Sequence, residues 1–365
     1  MSRSRPRVIF LSKYDESGAS SRYRVFQYLP HLRQAGWEVE VEPLFDARYL
    51  QHLYGQGRRG LGDVCRAFIR RLAVLPKLRH FDVVVIEYEL LPYCPAVLER
   101  CLSFLGTRYV VDYDDAIFHQ YDEHRSWLVR WVLSGKIATV MRKASLVTAG
   151  NPYLARYAEK AGARQVCVFP TVIDLARYSP PRPSCAAKLP GQPVVIGWIG
   201  SPSTTAYLES VAGALAQVCG QGRAVLRLMG ASAVDLPGVP VERFGWQEDV
   251  EVDFLRGLDI GIMPLPDEPW ARGKCGFKLI QYMACGLPTV ASPVGVNQDI
   301  VVPSQTGYLA DTAEEWVHAL NRLIDGPDLR ESMGRRGRAR VEAAYCVQVT
   351  APSLVETLTS VAGHA

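Results

Sequence analysis

Three basic residues close together in the chain could bind an anion. Arg272 and Lys274 belong to the loop inside GIMPLPDEPWARGKCGFKLIQYMACG, and Lys278 falls on the first turn of the helix predicted to follow. The N-terminus of a helix favours anions because it carries a partial positive charge and unpaired N–H groups. Lys274 and Lys278 are four residues apart, so they share one face if the helix begins by Lys274. We therefore predict an anion site at this loop.

The segments on either side of the loop are typical of a parallel α/β sandwich. The apolar run 258–264 predicts a strand, residues 277–285 have helical spacing, and the β-branched run 289–291 predicts another strand. Sheets of this kind bind ligands beyond the carboxyl ends of their strands. The basic residues follow such an end, which supports the anion site.

A longer stretch within this half of the chain has a recognisable pattern. LIQYMACGLPTVASPVGVNQDIV, residues 279–301, resembles the signature EAMA-x-GxPVVAS…GG-x-x-E-x-V of glycosyltransferase family 4. The resemblance implies an α/β fold of the GT-B class, with two Rossmann-like domains facing a central cleft and a C-terminal helix crossing back to the first domain. It also implies transfer of a sugar from a nucleotide-diphosphate-sugar with retention of configuration, without an obligatory metal or cofactor. Many relatives glycosylate lipid-linked acceptors, so we expect a lipid-linked or oligosaccharide acceptor in surface-polysaccharide or exopolysaccharide synthesis.

We expect the chain to consist of two domains joined by a linker. We expect a first, acceptor-side domain over residues 1–178 and a proline-rich linker over 179–193. A nucleotide-sugar-binding domain would follow over 194–350, with residues 351–365 as the terminal helix that packs on the first domain.

The first predicted turn contains a glycine and two arginines. The strand 8–12 is followed by the loop DESGASSR, with Gly18 at its centre and Arg22 at its end. The loop lacks the GxGxxG spacing, so it lends little support to a nicotinamide cofactor. The family resemblance implies that Gly18 lies near the donor and that Arg22 and Arg24 lie near this loop. The alternative is that both are surface arginines on a first helical turn.

The matching turn of the second domain lacks a positive charge. Relatives place an arginine and a lysine on the donor diphosphate here, whereas this chain has Gly200 followed by Ser201, Ser203 and Thr204. Backbone N–H groups and hydroxyls can still bind phosphate at a helix N-terminus. The missing charge would then come from Arg272, Lys274 and Lys278, the candidate catalytic cations.

Other donor contacts follow from the resemblance. Two glutamates of the family pattern are replaced, the first by Gly273 and the second, which binds the ribose, by Gln281; Glu268 or Asp267 could substitute for the first. Trp246 would stack on or wall the nucleobase, although a core tryptophan is an equal alternative. The remaining candidates lie in the loops of the signature region: Gly276, Phe277 and Asp299.

Acidic residues follow the predicted strand 109–111. The segment DYDDAIFHQYDEH includes Asp114 and Asp115, at a strand end where relatives often carry a histidine that touches the donor sugar. We predict that Asp114 and Asp115 accept hydrogen bonds from sugar hydroxyls. A helix N-cap cluster is one alternative. A metal site is another, but adjacent carboxylates without further ligands are weak evidence for it, and no metal is expected.

Composition narrows the function classes. The 365 residues suit two domains, and the net charge of +4 together with the absence of a nucleic-acid-binding module argues against a nucleic-acid partner. Nine cysteines without a CxxC pair predict reduced thiols in a cytoplasmic protein. No apolar run approaches the ~20 residues of a membrane span, and the first apolar run predicts a strand instead of a signal peptide.

Two segments could nevertheless lie on a membrane surface. Residues 58–79 form a basic amphipathic pattern, which suits the anionic inner face of the cell membrane; the alternative is a solvated helix packed on the sheet. Residues 126–142 predict a helix with Trp127 and Trp131 beside Arg125 and Arg130. This helix could face a membrane or an acceptor, although buried tryptophans are the commoner case. The basic residues of the first segment are Arg58, Arg59, Arg66, Arg70, Arg71, Lys77 and Arg79.

Two further functions stay open beside glycosyl transfer. A nucleotide-sugar epimerase uses the same fold and would turn over without an acceptor. A non-catalytic partner that binds a nucleotide-sugar would fit the changes at Gly273 and Gln281.

Overall fold

The computed structural model describes residues 5–56, 60–178 and 192–363, which form two compact units. The first unit contains the chain up to Thr171, the short piece Gly273–Cys275 and the C-terminal stretch from Thr350. The second contains Val172–Arg272 and Gly276–Val349. Most of the predicted linker, residues 179–191, lies outside the described residues, as do Arg58 and Arg59.

A parallel six-stranded sheet forms the centre of the first unit, in the order β2-β1-β3-β4-β5-β6. Its central strands are buried on both faces, which explains their continuous apolar sequences. The order changes direction between β1 and β3, and the loops after those two strands therefore flank the crevice where such sheets bind ligands. The strands are β1 (Arg7–Leu11), β2 (Glu38–Val41), β3 (Val83–Glu87), β4 (Tyr109–Tyr113), β5 (Leu146–Ala149) and β6 (Val166–Val168).

Helices of the first unit cover this sheet. The helical segment after β1 is interrupted, because the α-helix ends at Arg24, a 3-10 turn follows, and Pro30 lies in the first turn of a new helix. The helices are α1 (Ala19–Arg24), α2 (Leu29–Gln34), α3 (Ala47–Gln56), α4 (Leu61–Val74), α5 (Val97–Phe104), α6 (His119–Asp122), α7 (Trp127–Leu133), α8 (Lys136–Lys143) and α9 (Pro152–Lys160).

The second unit has its own parallel six-stranded sheet, in the order β12-β11-β10-β7-β8-β9. Counted from β7, this is the strand order of the dinucleotide-binding Rossmann fold, and its direction changes between β7 and β10. The strands are β7 (Val194–Ile199), β8 (Ala224–Met229), β9 (Val241–Phe244), β10 (Ile260–Met263), β11 (Thr289–Ala291) and β12 (Gly307–Leu309).

A 3-10 helix, Pro202–Val211, leads into the first helix of this unit. The last helix, α17, packs its C-terminal part on the first unit: Leu358 belongs to the apolar cluster of Val8 and Phe10, and the hydroxyls of Tyr28 and Thr350 are 2.8 Å apart. The predicted return of the terminal helix is confirmed. The helices are α10 (Ala212–Cys219), α11 (Glu251–Arg256), α12 (Pro269–Arg272), α13 (Phe277–Ala284), α14 (Asn297–Ile300), α15 (Ala313–Asp325), α16 (Pro327–Ala344) and α17 (Val347–Ala362).

The basic helix α4 packs on the sheet of the first unit. Ala67 and Val74 are buried, and Arg71 is buried as well, because its guanidinium donates to the carbonyl of Ser12 at 2.6 Å. Arg71 therefore does not belong to an exposed basic face, which corrects that part of the membrane hypothesis for 58–79. Within the described ranges, no helix has both the length and the apolarity needed to cross a membrane.

Candidate functional site

In the second unit, Gly200 and Lys278 meet at the point where the strand order reverses. Gly200 follows β7, and a Cβ atom added to it would lie 2.9 Å from Cε of Lys278 and 2.4 Å from the Trp198 ring. The Lys278 ammonium is 5.3 Å from the centroid of that ring. A cation from α13 thus lies beside the loop that lacks one in its own sequence.

The hydroxyl-rich loop after Gly200 is internally hydrogen-bonded. Ser201 and Ser203 have their hydroxyls 2.9 Å apart, and the Thr204 hydroxyl donates to the carbonyl of Ser201 at 3.1 Å. The loop opens the 3-10 helix at Pro202, which has no N–H, and the Thr204 N–H donates to the carbonyl of Ser201 at 3.0 Å. The start of a helix nevertheless favours an anion through its dipole and its remaining N–H groups. Lys278 and this loop together offer charge and donors to a phosphate.

Trp246 is held by a hydrogen bond of its indole and remains partly exposed. Its indole N–H donates to Oε2 of the buried Glu251 at 2.8 Å, while 38% of its surface remains exposed. A Cβ atom on Gly230 would lie 3.3 Å from Cβ of Trp246 and 2.2 Å from the carbonyl oxygen of Gly200. Trp246 is therefore near the hydroxyl-rich loop that follows Gly200. This placement suits contact with a planar base next to a phosphate.

Gln281 is buried in the same network. Its amide donates to Oε1 of Glu251 at 2.9 Å and to the hydroxyl of Tyr178 at 3.0 Å. The Tyr178 hydroxyl in turn donates to Glu251 at 2.5 Å. A carboxylate is therefore present beside Gln281, although it comes from α11 instead of α13.

The other two predicted cations, Arg272 and Lys274, lie before α13, and each is paired with a carboxylate. Arg272 donates to both carboxylate oxygens of the exposed Asp267, at 2.6 and 2.9 Å. Gly276 has a φ of 64° and the helix begins only at Phe277, so Lys274 precedes the helix and the condition for a shared face with Lys278 is not met. Glu268 accepts from the Tyr207 hydroxyl at 3.4 Å.

Lys274 belongs to the first unit, where it is paired with an acid. Its ammonium is 2.9 Å from Oδ1 of Asp115. The preceding Gly273 is in close contact with Ala116, since a Cβ atom at Gly273 would lie 2.4 Å from that of Ala116. Asn151 donates to the carbonyl oxygens of Gly273 and Lys274 at 2.8 and 3.0 Å. No side chain, and so no glutamate, fits at position 273 in this packing.

An acidic cluster occupies the strand reversal of the first unit. The Ser20 hydroxyl lies 2.8 Å from Oε1 of Glu87 and 3.1 Å from Oδ2 of Asp114, and Asp114 also accepts from the Tyr88 hydroxyl. Tyr88 has a φ of 64°, an uncommon conformation for a bulky residue that is concentrated at functional sites. Asp115 and its partner Lys274 adjoin this cluster.

The surroundings of the acidic cluster bring the pKa of one of its carboxyl groups close to neutral pH. Burial, and then the neighbouring Asp115 carboxylate, raise the pKa of Asp114 to about 7. Burial also raises the pKa of Glu87. Close carboxylates in a poorly hydrated setting resist double ionisation, so protons are retained here that free acids would lose. Such a cluster can exchange hydrogen bonds and protons with hydroxyl groups of a ligand.

We expect the substitution Asp114→Asn to change how stability depends on pH. Because folding raises the pKa of Asp114, the folded protein binds a proton that the unfolded chain releases, and stability falls as pH rises from about 4 to about 7. The asparagine of the variant does not titrate. The melting temperature of the variant, relative to that of the wild type, should therefore rise between pH 5 and pH 8. The exposed acid variant Asp235→Asn is the control, and parallel profiles of Asp114→Asn and wild type would contradict the assignment.

The remaining predicted residues lie at the start of α1, at the start of α13 and on α14. Gly18 is the N-cap of α1, and Arg22 donates to the carbonyls of Glu16 and Ser17 at 3.0 and 3.1 Å, so its guanidinium organises the loop. Phe277 is partly buried, and Asp299 is exposed on α14. Whether either contacts a donor stays a prediction.

One group among the described residues brings possible metal ligands together. His119, Asp122 and Glu123 place ligand atoms within 4.8 Å of one another. They share one helical turn, and Nδ1 of His119 is 3.0 Å from Asp122 while Nε2 is 2.9 Å from the Tyr153 hydroxyl. These local pairs account for the arrangement without an ion.

Several contributors were not identified from the sequence. Glu87 could have been found, because it ends the apolar strand β3 next to the predicted turn. Tyr88 and Glu251 carry no comparable signal, since their roles depend on backbone conformation and on contacts distant in the chain.

Comparison with known proteins relates the second unit to a family of glycosyltransferases. Residues 193–326 match the family model described as Glycosyl transferases group 1, which confirms the predicted resemblance. A mannosyltransferase of Mycobacterium tuberculosis, the GDP-mannose-dependent alpha-(1-6)-phosphatidylinositol dimannoside mannosyltransferase, is 24% identical over 56% of this chain and 55% of its own length. A D-inositol 3-phosphate glycosyltransferase of Pseudarthrobacter chlorophenolicus is 32% identical over 24% of this chain and 20% of its own length.

Solved structures support the fold over nearly the whole chain. Sucrose-phosphate synthase from Thermosynechococcus elongatus has a TM-score of 0.72 at 17% identity, covering 99% of this chain and 100% of its own. Anabaena HepE, solved in complex with UDP, has a TM-score of 0.70 at 18% identity, covering 97% and 100%. The predicted GT-B fold class is thereby confirmed.

Proposed function

We propose that this chain moves a sugar from a nucleotide-diphosphate-sugar to an acceptor hydroxyl, with retention of configuration, because its residues 193–326 match the family model described as Glycosyl transferases group 1. The observation that carries the proposal is the position of Lys278 beside Gly200. Glycosyl transfer passes through an oxocarbenium-like state while negative charge grows on the departing diphosphate. A preorganised cation at that oxygen is the most effective contribution a protein can make.

In this proposal the second unit binds the donor. Lys278 and the N–H groups of the hydroxyl loop hold the diphosphate, Trp246 contacts the base, and Gln281 with Glu251 lies nearest the ribose. Arg272 remains a candidate cation, although it is engaged with Asp267 in the present arrangement. The other proposed donor contacts are Gly18, Arg22, Ser201, Ser203, Thr204, Glu268, Gly276, Phe277 and Asp299.

The first unit would bind sugar hydroxyls at its acidic cluster. Asp114 and Asp115 provide the acceptors, and Lys274 fixes Asp115. The family supports a lipid-linked or oligosaccharide acceptor, and the mycobacterial relative's name includes a phosphatidylinositol dimannoside. We propose a cytoplasmic enzyme, peripheral on the membrane, that acts in surface-polysaccharide synthesis.

A direct test is nucleoside diphosphate release from a panel of sugar donors, with and without simple glycoside or lipid-phosphate acceptors. UDP-glucose and GDP-mannose come first, because HepE was solved with UDP-glucose and the mycobacterial relative's name contains GDP-mannose. Acceptor-dependent release, with a product of unchanged anomeric configuration by NMR, is expected. Sugar conversion without an acceptor would instead identify an epimerase.

A non-catalytic partner is the second candidate. The close contact between Gly273 and Ala116 excludes the side chain that relatives use at the donor sugar. Donor binding without turnover against every acceptor tested would favour this function.

A further inference from the structure

The short helix α7 exposes an apolar surface with two tryptophans. Trp127 is 69% exposed and Trp131 is 77% exposed, and Leu128 and Val132 are 51% and 48% exposed. These four residues, which we call the α7 surface, fall at positions i, i+1, i+4 and i+5, so they form one stripe. Indoles are normally buried in proteins, and a contiguous apolar patch on a surface marks an interaction site.

The rest of the helix explains why this stripe is not part of the core. Leu133 is buried and Val129 packs against the main apolar cluster of the first unit. The helix is therefore seated through its opposite face. Its exposed residues contribute little to that packing and are available to a partner.

The chain segment that carries the α7 surface is rich in basic residues, although Asp122 and Glu123 lie just before the helix. No acidic residue occurs between Glu123 and Glu159. Arg130 donates to the carbonyl oxygens of His124 and Arg125 at 2.5 and 3.2 Å, which holds a guanidinium at the start of the helix. The exposed basic residues of this interval are Arg125, Arg130, Arg142, Lys143 and Arg156.

We propose that the α7 surface is a membrane anchor that inserts its indoles into the interface of an anionic lipid bilayer. Tryptophan is enriched at the headgroup level, where its apolar body and its polar N–H are both accommodated. Each basic residue near an anionic leaflet adds about 1 kcal/mol of attraction. The combination of exposed indoles and exposed arginines matches that surface in both polarity and charge.

A second copy of the chain fits the surface less well. Even at ~250 Å² for a whole tryptophan, four partly exposed side chains remain below the ~800 Å² per partner of a stable interface. A two-fold contact would also bring the same exposed arginines of the two copies towards each other. The charge pattern therefore favours lipid over self-association.

This anchor is independent of the proposed sugar transfer and differs from the predicted basic segment 58–79. It uses no residue of the donor or acid clusters, and vesicle binding can be measured without any donor. Failure of the anchor and failure of the transferase function are therefore separate results.

The test uses the full chain and vesicles made of equal amounts of phosphatidylcholine and phosphatidylglycerol. Wild type should sediment with them and not with pure phosphatidylcholine vesicles. The double variant Trp127→Ser/Trp131→Ser should lose about tenfold or more in partitioning. Its melting temperature should be unchanged, because both side chains are exposed. Phe244→Ser, which removes an exposed aromatic of the second unit, is the matched control and should bind like wild type.

Tryptophan fluorescence gives a second readout. Lipids brominated on their acyl chains should quench wild type, and the quenching should disappear in the double variant. The proposal is overturned if wild type does not bind, if the double variant binds equally, or if binding occurs without quenching. Concentration-dependent dimerisation lost in the double variant would identify a second copy as the occupant and would equally overturn it.

Discussion

Replacing Lys278 with alanine should slow sugar transfer by about 10²–10³ while leaving the fold intact. Lys278 lies beside Gly200, next to a loop that offers hydroxyls and N–H groups but no charge. Without the ammonium of Lys278, this loop loses the cation beside it, and the negative charge that grows on the departing diphosphate is less well stabilised. The contact with Trp198 is a cation–π pair worth about 0.5–1 kcal/mol, so the cost in stability is small.

The measurement is kcat for nucleoside diphosphate release at saturating donor, together with the melting temperature. Lys160→Ala, which removes an exposed lysine at the end of α9, controls for net charge and should keep full activity. Lys278→Arg should recover part of the rate, since it retains the charge with altered geometry. Full activity of the alanine variant would refute the phosphate assignment.

The substitution Asp112→Ala should destabilise the first unit by about 3–5 kcal/mol. Asp112 is buried and pairs with the buried Arg24 through two contacts of 2.8 and 2.5 Å. Burial alone lowers the pKa of Arg24, but the Asp112 carboxylate more than offsets this and raises it. Without Asp112, a guanidinium that cannot lose its proton remains in the interior. Arg24 also donates to the carbonyl of Phe169 at 2.7 Å, so β4, α1 and the end of β6 are all affected.

Urea unfolding followed by circular dichroism measures this loss. Glu331→Ala breaks the exposed pair of Glu331 and Arg335 and should change stability by no more than about 0.5 kcal/mol. Replacing both buried partners, in Arg24→Met/Asp112→Leu, should cost less than Asp112→Ala alone. A loss below about 1 kcal/mol in Asp112→Ala would show that the buried pair does not have this role.

The sequence was most informative about site residues that lie in the loops directly after strands, because the order of the strands determines where those loops lie. The missing cation after Gly200 and the nearby Lys278 were both visible in the sequence, and parallel strands bring their loops to one edge of the sheet. The same logic could not place Lys274, because the left-handed Gly276 separates it from α13. Nor could it reveal Glu251, whose contacts with Trp246, Gln281 and Tyr178 join residues far apart in the chain.

Amphipathic patterns were informative about faces but not about individual residues. The pattern in α4 indicated an apolar face, and Val64 and Phe68 do pack on the core, yet Leu72 is exposed while Arg71 is turned inward. The general tendency of tryptophan to be buried would likewise misplace Trp127 and Trp131. Exposure depends on which neighbouring helices cover a surface, and that is decided by tertiary packing.

The most direct test of the central claim, a nucleotide-diphosphate site at Lys278, is thermal shift of the wild type and Lys278→Ala with UDP, GDP, dTDP, ADP and the corresponding nucleosides. A ligand at 100 times its dissociation constant adds about 2.7 kcal/mol of stability. We expect one diphosphate series to raise the wild-type melting temperature, its nucleoside to have a much smaller effect, and Lys278→Ala to lose most of the difference. No shift with any diphosphate, or an equal shift in the variant, would contradict the account.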